Sequence, residues 1–392
     1  MARKRIAIVV QRYGPEVLGG SESLARSLAH LLSDVYDIDV LTTCAKDYVT
    51  WKNEFPAGES MDGPVRVLRF KVDRQRSKWF NIYNALMLKV PHTRWMEELW
   101  MRMQGPYSSD FLNYLDAAAD NYQAFIFMTY MYGTTYYGSK KVKGRYLLVP
   151  TAHDEPFIRF RFFQETFGSS RHVVCLTDEE LVLVKKNFRL RDDRLSVIGV
   201  PIGECLGDSR SAVEKYGITG NFIAYIGRID VMKGVDTLVK YFNRYASESD
   251  SELSLVLCGS GPLKIPSSEK IYQLGFIPEA DKFGIMHAAL ATVQPSRYES
   301  YSISVIESMA CSTPVLVNGE CAVLKGHCEK SGGGMTFFSY EDFKSSMDRL
   351  INDADLRQRM SLLGIAYVNE NYSCDVVGKK YISLLDGLTT KP

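Results

Sequence analysis

The sequence predicts an α/β protein built from two doubly wound halves. Short apolar runs alternate with amphipathic stretches along the chain, that alternation restarts after Arg194, and Val200-Pro201-Ile202-Gly203 separates the two series. At 392 residues the chain exceeds one ordinary core, and two similar lobes are the simplest division.

In the first half, strands are predicted at Ile6 to Val10, Asp39 to Thr43, Val65 to Phe70, Phe125 to Met128, Tyr146 to Val149 and Val173 to Leu176. Leu24, Leu28, Leu31 and Leu32 place one apolar stripe on a helix over Ser21 to Leu32. Thr177 followed by Glu180 is a capping-box signature that opens another helix. The second series runs through Phe222 to Ile226, Leu253 to Cys258, Ile271 to Leu274, Leu290 to Val293 and Pro314 to Val317. Proline and glycine at 200–203 suit a hinge, so the domains are expected at 1–200 and 201–372.

Composition bounds the function. Hydrophobic residues are 46% and charged residues 24%, as in a globular protein with a sizeable core. Lys plus Arg total 47 against 46 acids, so global charge gives no argument for nucleic-acid binding, and any anion site must be a local cluster. The eight cysteines show neither a C-x-x-C pair nor zinc-like spacing, which fits a reducing cytoplasm. The apolar run at Ile6 to Val10 stops at Gln11-Arg12, too short for a signal-peptide core or a membrane span.

Residues 74–103 break the regular pattern, combining Arg74, Arg76, Lys78, Lys89, Arg94 and Arg102 with Trp79, Phe80, Trp95 and Trp100. Such a stretch can lie on an anionic membrane or grip a lipid-linked or polyanionic acceptor. Helical spacing among the aromatics favours a flap whose rings pack inward.

Three loops at predicted strand ends carry the chemistry. Gly14 to Ser21 follows strand one and opens a helix, so Gly19 and Gly20 can present backbone N–H groups to an anion. It is not a P-loop, because Gly20 stands where the phosphate-binding lysine belongs, and it is not G-x-G-x-x-G. Gly227-Arg228-Ile229-Asp230-Val231-Met232-Lys233-Gly234 places a planar fork and a mobile cation beyond a strand, a suitable pair for a diphosphate. Glu299 to Glu307 follows the strand at Leu290 to Val293. A helix starting near Ser302 frees the N–H groups of Ser302, Ile303 and Ser304 as an anion seat. Carboxylates beside a diphosphate must face hydroxyls or developing positive charge, which assigns Glu299 to a transferred sugar and Glu307 to a ribose.

Gly19-Gly20, Gly227-Arg228 with Lys233, and Glu299 to Glu307 together resemble the set shared by family 4 glycosyltransferases of GT-B fold, with two Rossmann-like domains facing across a cleft. The resemblance implies retention of anomeric configuration, no metal or other cofactor, and Arg228 and Lys233 on the donor diphosphate. It further implies a hexose from a nucleotide sugar, UDP-glucose first, passed to a glycan or lipid-linked acceptor in polysaccharide assembly. Backbone near Phe276 and Ile277 would hold the base, His153 would meet donor sugar or acceptor, and Asp154 would steer the acceptor hydroxyl. The C-terminal helix within 373–392 would cross back to the first domain. Such a protein would be cytoplasmic, with peripheral contact to the inner membrane face open.

The sequence departs from the family at Ser300 and Ser302, where many members have glycine; a serine suits a helix N-terminus, so the seat is expected to survive. Asp37-Ile38-Asp39 and Asp353-Ala354-Asp355 match D-x-D, but the first precedes its strand and the second opens a helix, so no catalytic metal is expected. A glycosidase, a sugar-nucleotide epimerase and a non-catalytic nucleotide-sugar binder are the rival readings. The first needs a second carboxylate across the sugar, which the motifs do not supply.

Overall fold

The computed structural model describes residues 3–17, 19–249 and 252–389. The chain divides into two compact units, residues up to 201 with those from 377 onward, and residues 202–376.

The first unit is built on β1 (Arg5–Val9), β2 (Asp37–Thr43), β3 (Gly58–Asp62), β4 (Val65–Phe70), β5 (Ala124–Met128), β6 (Tyr146–Val149), β7 (His172–Cys175) and β8 (Leu195–Val197). Their order is β3-β4-β2-β1-β5-β6-β7-β8. All neighbours are parallel except the β3/β4 hairpin. Parallel strands covered on both faces read as unbroken apolar runs, and β5 (AFIFM) and β6 (YLLV) are buried at every position. The polar and exposed β3 gives no such signal, and β8 has only three residues, so neither was predicted. The helix Gly20–Leu32 buries Leu24, Leu28 and Leu32 against this sheet. In the helix Cys374–Thr389, the part from Val377 belongs to the first unit. There Tyr381 is fully buried, and Asp386 takes Lys4 Nζ at 3.1 Å and the Tyr36 hydroxyl at 3.2 Å.

Thr177 caps the helix Asp178–Asn187 by accepting from Glu180 N at 3.1 Å. The reciprocal arm of the expected box differs: the Glu180 carboxylate takes the N–H groups of Leu176 and Ala152, tying the helix start to the loop after β6.

The second unit carries β9 (Phe222–Ile226), β10 (Ser254–Cys258), β11 (Ile271–Gly275), β12 (Ala291–Gln294), β13 (Val315–Asn318) and β14 (Gly334–Phe337). The order is β11-β10-β9-β12-β13-β14, parallel throughout. All six carboxyl ends therefore share one edge. Strand order reverses at β9, which has β10 on one side and β12 on the other. The loops after β9 and β12 part at that switch point, where doubly wound sheets open a crevice.

The expectation of an inward-packed flap at 74–103 is half corrected. Phe80, Met87, Trp100 and Met101 are buried in the first unit's core, whereas Trp79 and Trp95 are exposed.

Candidate active site

The loop after β9 turns at Gly227, where a Cβ on neighbouring Gly259 would lie 1.9 Å from the Gly227 carbonyl oxygen. Only glycine lets the loops after β9 and β10 approach this closely. The Tyr225 hydroxyl donates to the Arg228 carbonyl at 2.8 Å, and its acidity is suppressed by burial first and then by the nearby Glu299 and Asp230 carboxylates. Asp230 caps the following turn by accepting from Met232 N at 2.8 Å and also pairs with the Arg228 guanidinium. Arg228 remains about half exposed while held by Asp230.

Lys233 reaches the loop after β12, its Nζ 2.8 Å from Glu299 Oε1. A cation placed after β9 and a carboxylate placed after β12 thus meet across the switch point. Glu299 is mostly buried, and its charge is compensated by the lysine.

The helix after β12 runs from Ile303 to Ala310, so Ser302 is its N-cap. The N–H groups of Ser302, Ile303 and Ser304 find no acceptor among the described residues. The reason expected for serine at this site is corrected. Ser302 is left-handed, with φ 67°, and its side chain makes no capping bond. Its hydroxyl instead faces Gln294 Nε2 at 3.5 Å, and the same amide donates to Ser304 Oγ at 3.2 Å. The left-handed backbone is the physical reason a glycine fits here.

Glu307 lies on the first helical turns and pairs with Lys282 Nζ at 2.7 Å. Burial pushes the Glu307 carboxyl above its ordinary value, Lys282 opposes that shift, and Glu279 adds to it. Lys282 belongs to the helix Glu279–Ala288, immediately after Phe276 and Ile277. The Phe276 ring is exposed, whereas the Ile277 side chain is buried in a core with Phe222 and Val256, leaving only its backbone for a ligand.

Sequence reasoning missed Lys282 and His327. Lys282 stands 25 positions from its partner, with no motif joining them. His327, on the helix Ala322–Ser331, is buried, with Nε2 2.9 Å from the Tyr301 carbonyl and Nδ1 3.2 Å from the Tyr367 hydroxyl. It braces the loop between Glu299 and Ser302 from below. A lone histidine on a half-apolar helix gave no signal of that role.

In the first unit, Gly19 caps the helix Gly20–Leu32, and a Cβ there would meet Glu22 Oε2 at 2.2 Å. Glu22 is buried and takes Gln11 Nε2 at 2.8 Å and Arg12 Nε at 2.9 Å, so the helix start holds a compensated carboxylate rather than a bare one. Leu18 lies outside the described residues. His153 follows β6, its Nε2 3.7 Å from Glu155 Oε2, and Glu155 also takes the Tyr130 hydroxyl at 2.6 Å. Asp154 is turned outward to Arg159 Nη2 at 2.6 Å. Glu155, not Asp154, is the sheltered carboxylate beside His153.

The first D-x-D match does not precede its strand: Asp37 and Asp39 lie within β2, at its amino end. Asp39 is buried against Arg66 and takes the Tyr122 hydroxyl at 2.6 Å, and Asp353 caps its helix through Leu356 N at 2.8 Å.

A two-unit fold of this kind, with cations and open amides gathered at the carboxyl edge of the second sheet, is that of the GT-B glycosyltransferase class. Residues 209–362 match the family model described as glycosyl transferases group 1, so the second unit is a domain of that family. Among curated relatives, a D-inositol 3-phosphate glycosyltransferase of Nocardiopsis dassonvillei is 26% identical over 239 residues, 53% of this chain and 54% of the relative. An uncharacterized glycosyltransferase of Methanocaldococcus jannaschii is 24% identical over 172 residues, 41% and 44% respectively. The chain spans about half the length of the curated relatives it matches. Among solved structures, sucrose-phosphate synthase from Thermosynechococcus elongatus superposes with TM-score 0.73 at 16% identity, covering 98% of this chain and 99% of that one. The Anabaena protein HepE in complex with UDP and glucose gives 0.71 at 13% identity, covering 98% and 100%. At these identities the structural likeness carries the fold.

Proposed function

We propose that this protein is a retaining glycosyltransferase that moves a hexose from a nucleotide diphosphate sugar, UDP-glucose first, to a glycan or lipid-linked acceptor. One observation supports the reading above the others: Lys233 and Glu299 meet where the loops after β9 and β12 part. Arg228 precedes this lysine on the loop after β9, and the open amides of Ser302 to Ser304 follow Glu299 on the loop after β12.

In this reading Arg228, Lys233 and the amides hold the diphosphate and take up its charge as the bond to C1 of the sugar breaks. Glu299 faces the sugar, where it orients hydroxyls and offsets positive charge at C1. Glu307 accepts from the ribose hydroxyls, and backbone at Phe276 and Ile277 reads the base. The acceptor oxygen bonds to C1 from the leaving-group side and its proton passes to the departing phosphate, so one carboxylate suffices. His153 contacts donor sugar or acceptor, and Gly19 and Gly20 offer amides to the diphosphate. Asp154 steers the acceptor hydroxyl only if it leaves Arg159. The residues named need no metal or other cofactor, and a cytoplasmic site would supply the donor.

HepE's complexes with UDP and with UDP-glucose favour a uridine donor here. Calorimetry with UDP, GDP and ADP tests the base, with UDP expected to bind tightest. Nucleotide release from UDP-glucose that depends on an added acceptor completes the case. Donor conversion without acceptor would instead make the protein an epimerase, and donor binding without any turnover a sensor.

A further inference from the structure

Two of the four tryptophans, Trp51 and Trp100, are fully buried, while Trp79 and Trp95 are each 69% exposed. Between them lie three more exposed large apolar side chains, Ile82, Leu86 and Leu88. Trp79, Ile82 and Leu86 stand at i, i+3 and i+7, a single stripe along the helix Phe80–Met87. Trp95 and Arg102, seven apart, share the exposed side of the helix Arg94–Gln104.

These helices are fixed in place. Phe80, Met87, Trp100 and Met101 anchor them in the core. The Tyr83 hydroxyl donates to the Met96 carbonyl at 3.0 Å, and Trp100 Nε1 donates to Asn84 Oδ1 at 2.8 Å. Buried Glu97 takes Arg161 N at 2.7 Å, which ties the second helix to the rest of the unit. The apolar stripe is thus held outward by a packed inner face.

The charge without an ion-pair partner on and beside these two helices has one sign among the described residues. Glu97 is buried, and Glu98 is held by Arg94 at 3.0 Å. Exposed Lys78, Lys89 and Arg102 make no ion pair among the described residues. A soluble polyanion would use the cations but leave Ile82, Leu86 and Leu88 in water, and a second copy would set like charges face to face. A bilayer with anionic headgroups meets both needs: indole rings sit at the headgroup level, alkyl side chains enter the acyl boundary, and lysines pair with lipid phosphates.

We propose that the helices Phe80–Met87 and Arg94–Gln104 form a docking face for an anionic lipid bilayer. The test uses the full chain with vesicles of phosphatidylcholine containing phosphatidylglycerol, and with phosphatidylcholine alone. The protein co-sediments with the anionic vesicles, and its tryptophan emission shifts to the blue. The double variant Lys78→Ser/Lys89→Ser binds less tightly by about fivefold for each lysine. The variant Trp79→Ser/Trp95→Ser loses the emission shift and roughly tenfold or more in binding. Far-ultraviolet circular dichroism and a thermal unfolding midpoint equal to those of the parent show that these variants, which lie in the first unit, are folded. The proposal falls if the parent protein ignores anionic vesicles or if the tryptophan variant binds them equally well. It also falls if sedimentation velocity shows the face consumed by self-association that the same substitutions abolish.

Discussion

Lys233 Nζ stands 2.8 Å from Glu299 Oε1, joining the loops that follow β9 and β12. On the proposed reading, a diphosphate arriving here competes with Glu299 for the lysine's three N–H donors and loosens the carboxylate for the sugar.

Opposite behaviour of the two partners follows. Glu299→Gln is expected to leave UDP affinity unchanged or raise it, because the ammonium no longer has a competing anion. Its turnover falls on the order of a hundredfold. Lys233→Ala weakens UDP by about tenfold or more, the worth of a charge-assisted hydrogen bond. Calorimetry and a nucleotide-release assay on the same preparations separate the effects, and equal loss of UDP affinity in both variants would contradict the arrangement.

Glu307 and Lys282 make a second, more buried pair. Burial raises the Glu307 carboxyl, so the folded protein holds this proton more tightly than the unfolded chain does. Its contribution to stability is then complete below the ordinary carboxylate value and is lost as pH rises through the raised one. Lys282→Met leaves that charge buried without its cation and is expected to cost about 3 kcal/mol near neutral pH, fading in acid as Glu307 takes up a proton. Urea unfolding across pH reads this directly. Glu307→Gln is expected to cost less stability than Lys282→Met while weakening UDP about tenfold.

Ser302 holds a left-handed backbone with φ 67° and gains no cap from it. Ser302→Gly is expected to keep UDP affinity and raise stability by about 0.5–1 kcal/mol, and Ser302→Val to lower stability by about 1–2 kcal/mol. Chemical denaturation of the three proteins is the measurement.

Glu180 is fully enclosed, and burial raises its carboxyl to about 8 against the opposing N–H bonds from Leu176 and Ala152. The folded protein then holds a proton that the unfolded chain has released, so stability declines as pH rises from the ordinary carboxylate value toward about 8. Glu180→Gln flattens this part of the stability-pH curve, as thermal unfolding at a series of pH values would show.

The sequence alone determined the two-unit α/β plan, because buried parallel strands must be apolar along their whole length and helices must carry a stripe. Runs such as Phe125 to Met128 and Phe222 to Ile226 declare this without knowledge of their neighbours. Position beyond a strand end likewise marked Arg228, Lys233, Glu299 and Glu307. Only the tertiary structure decided which polar groups meet, since Lys282 and Glu307, or His327 and the Tyr301 carbonyl, are brought together by packing between elements that share no local pattern. It also decided the aromatics of 74–103: helical spacing says which rings share a face, but only the fit of that face against the core says which of them, Trp100 or Trp95, is enclosed.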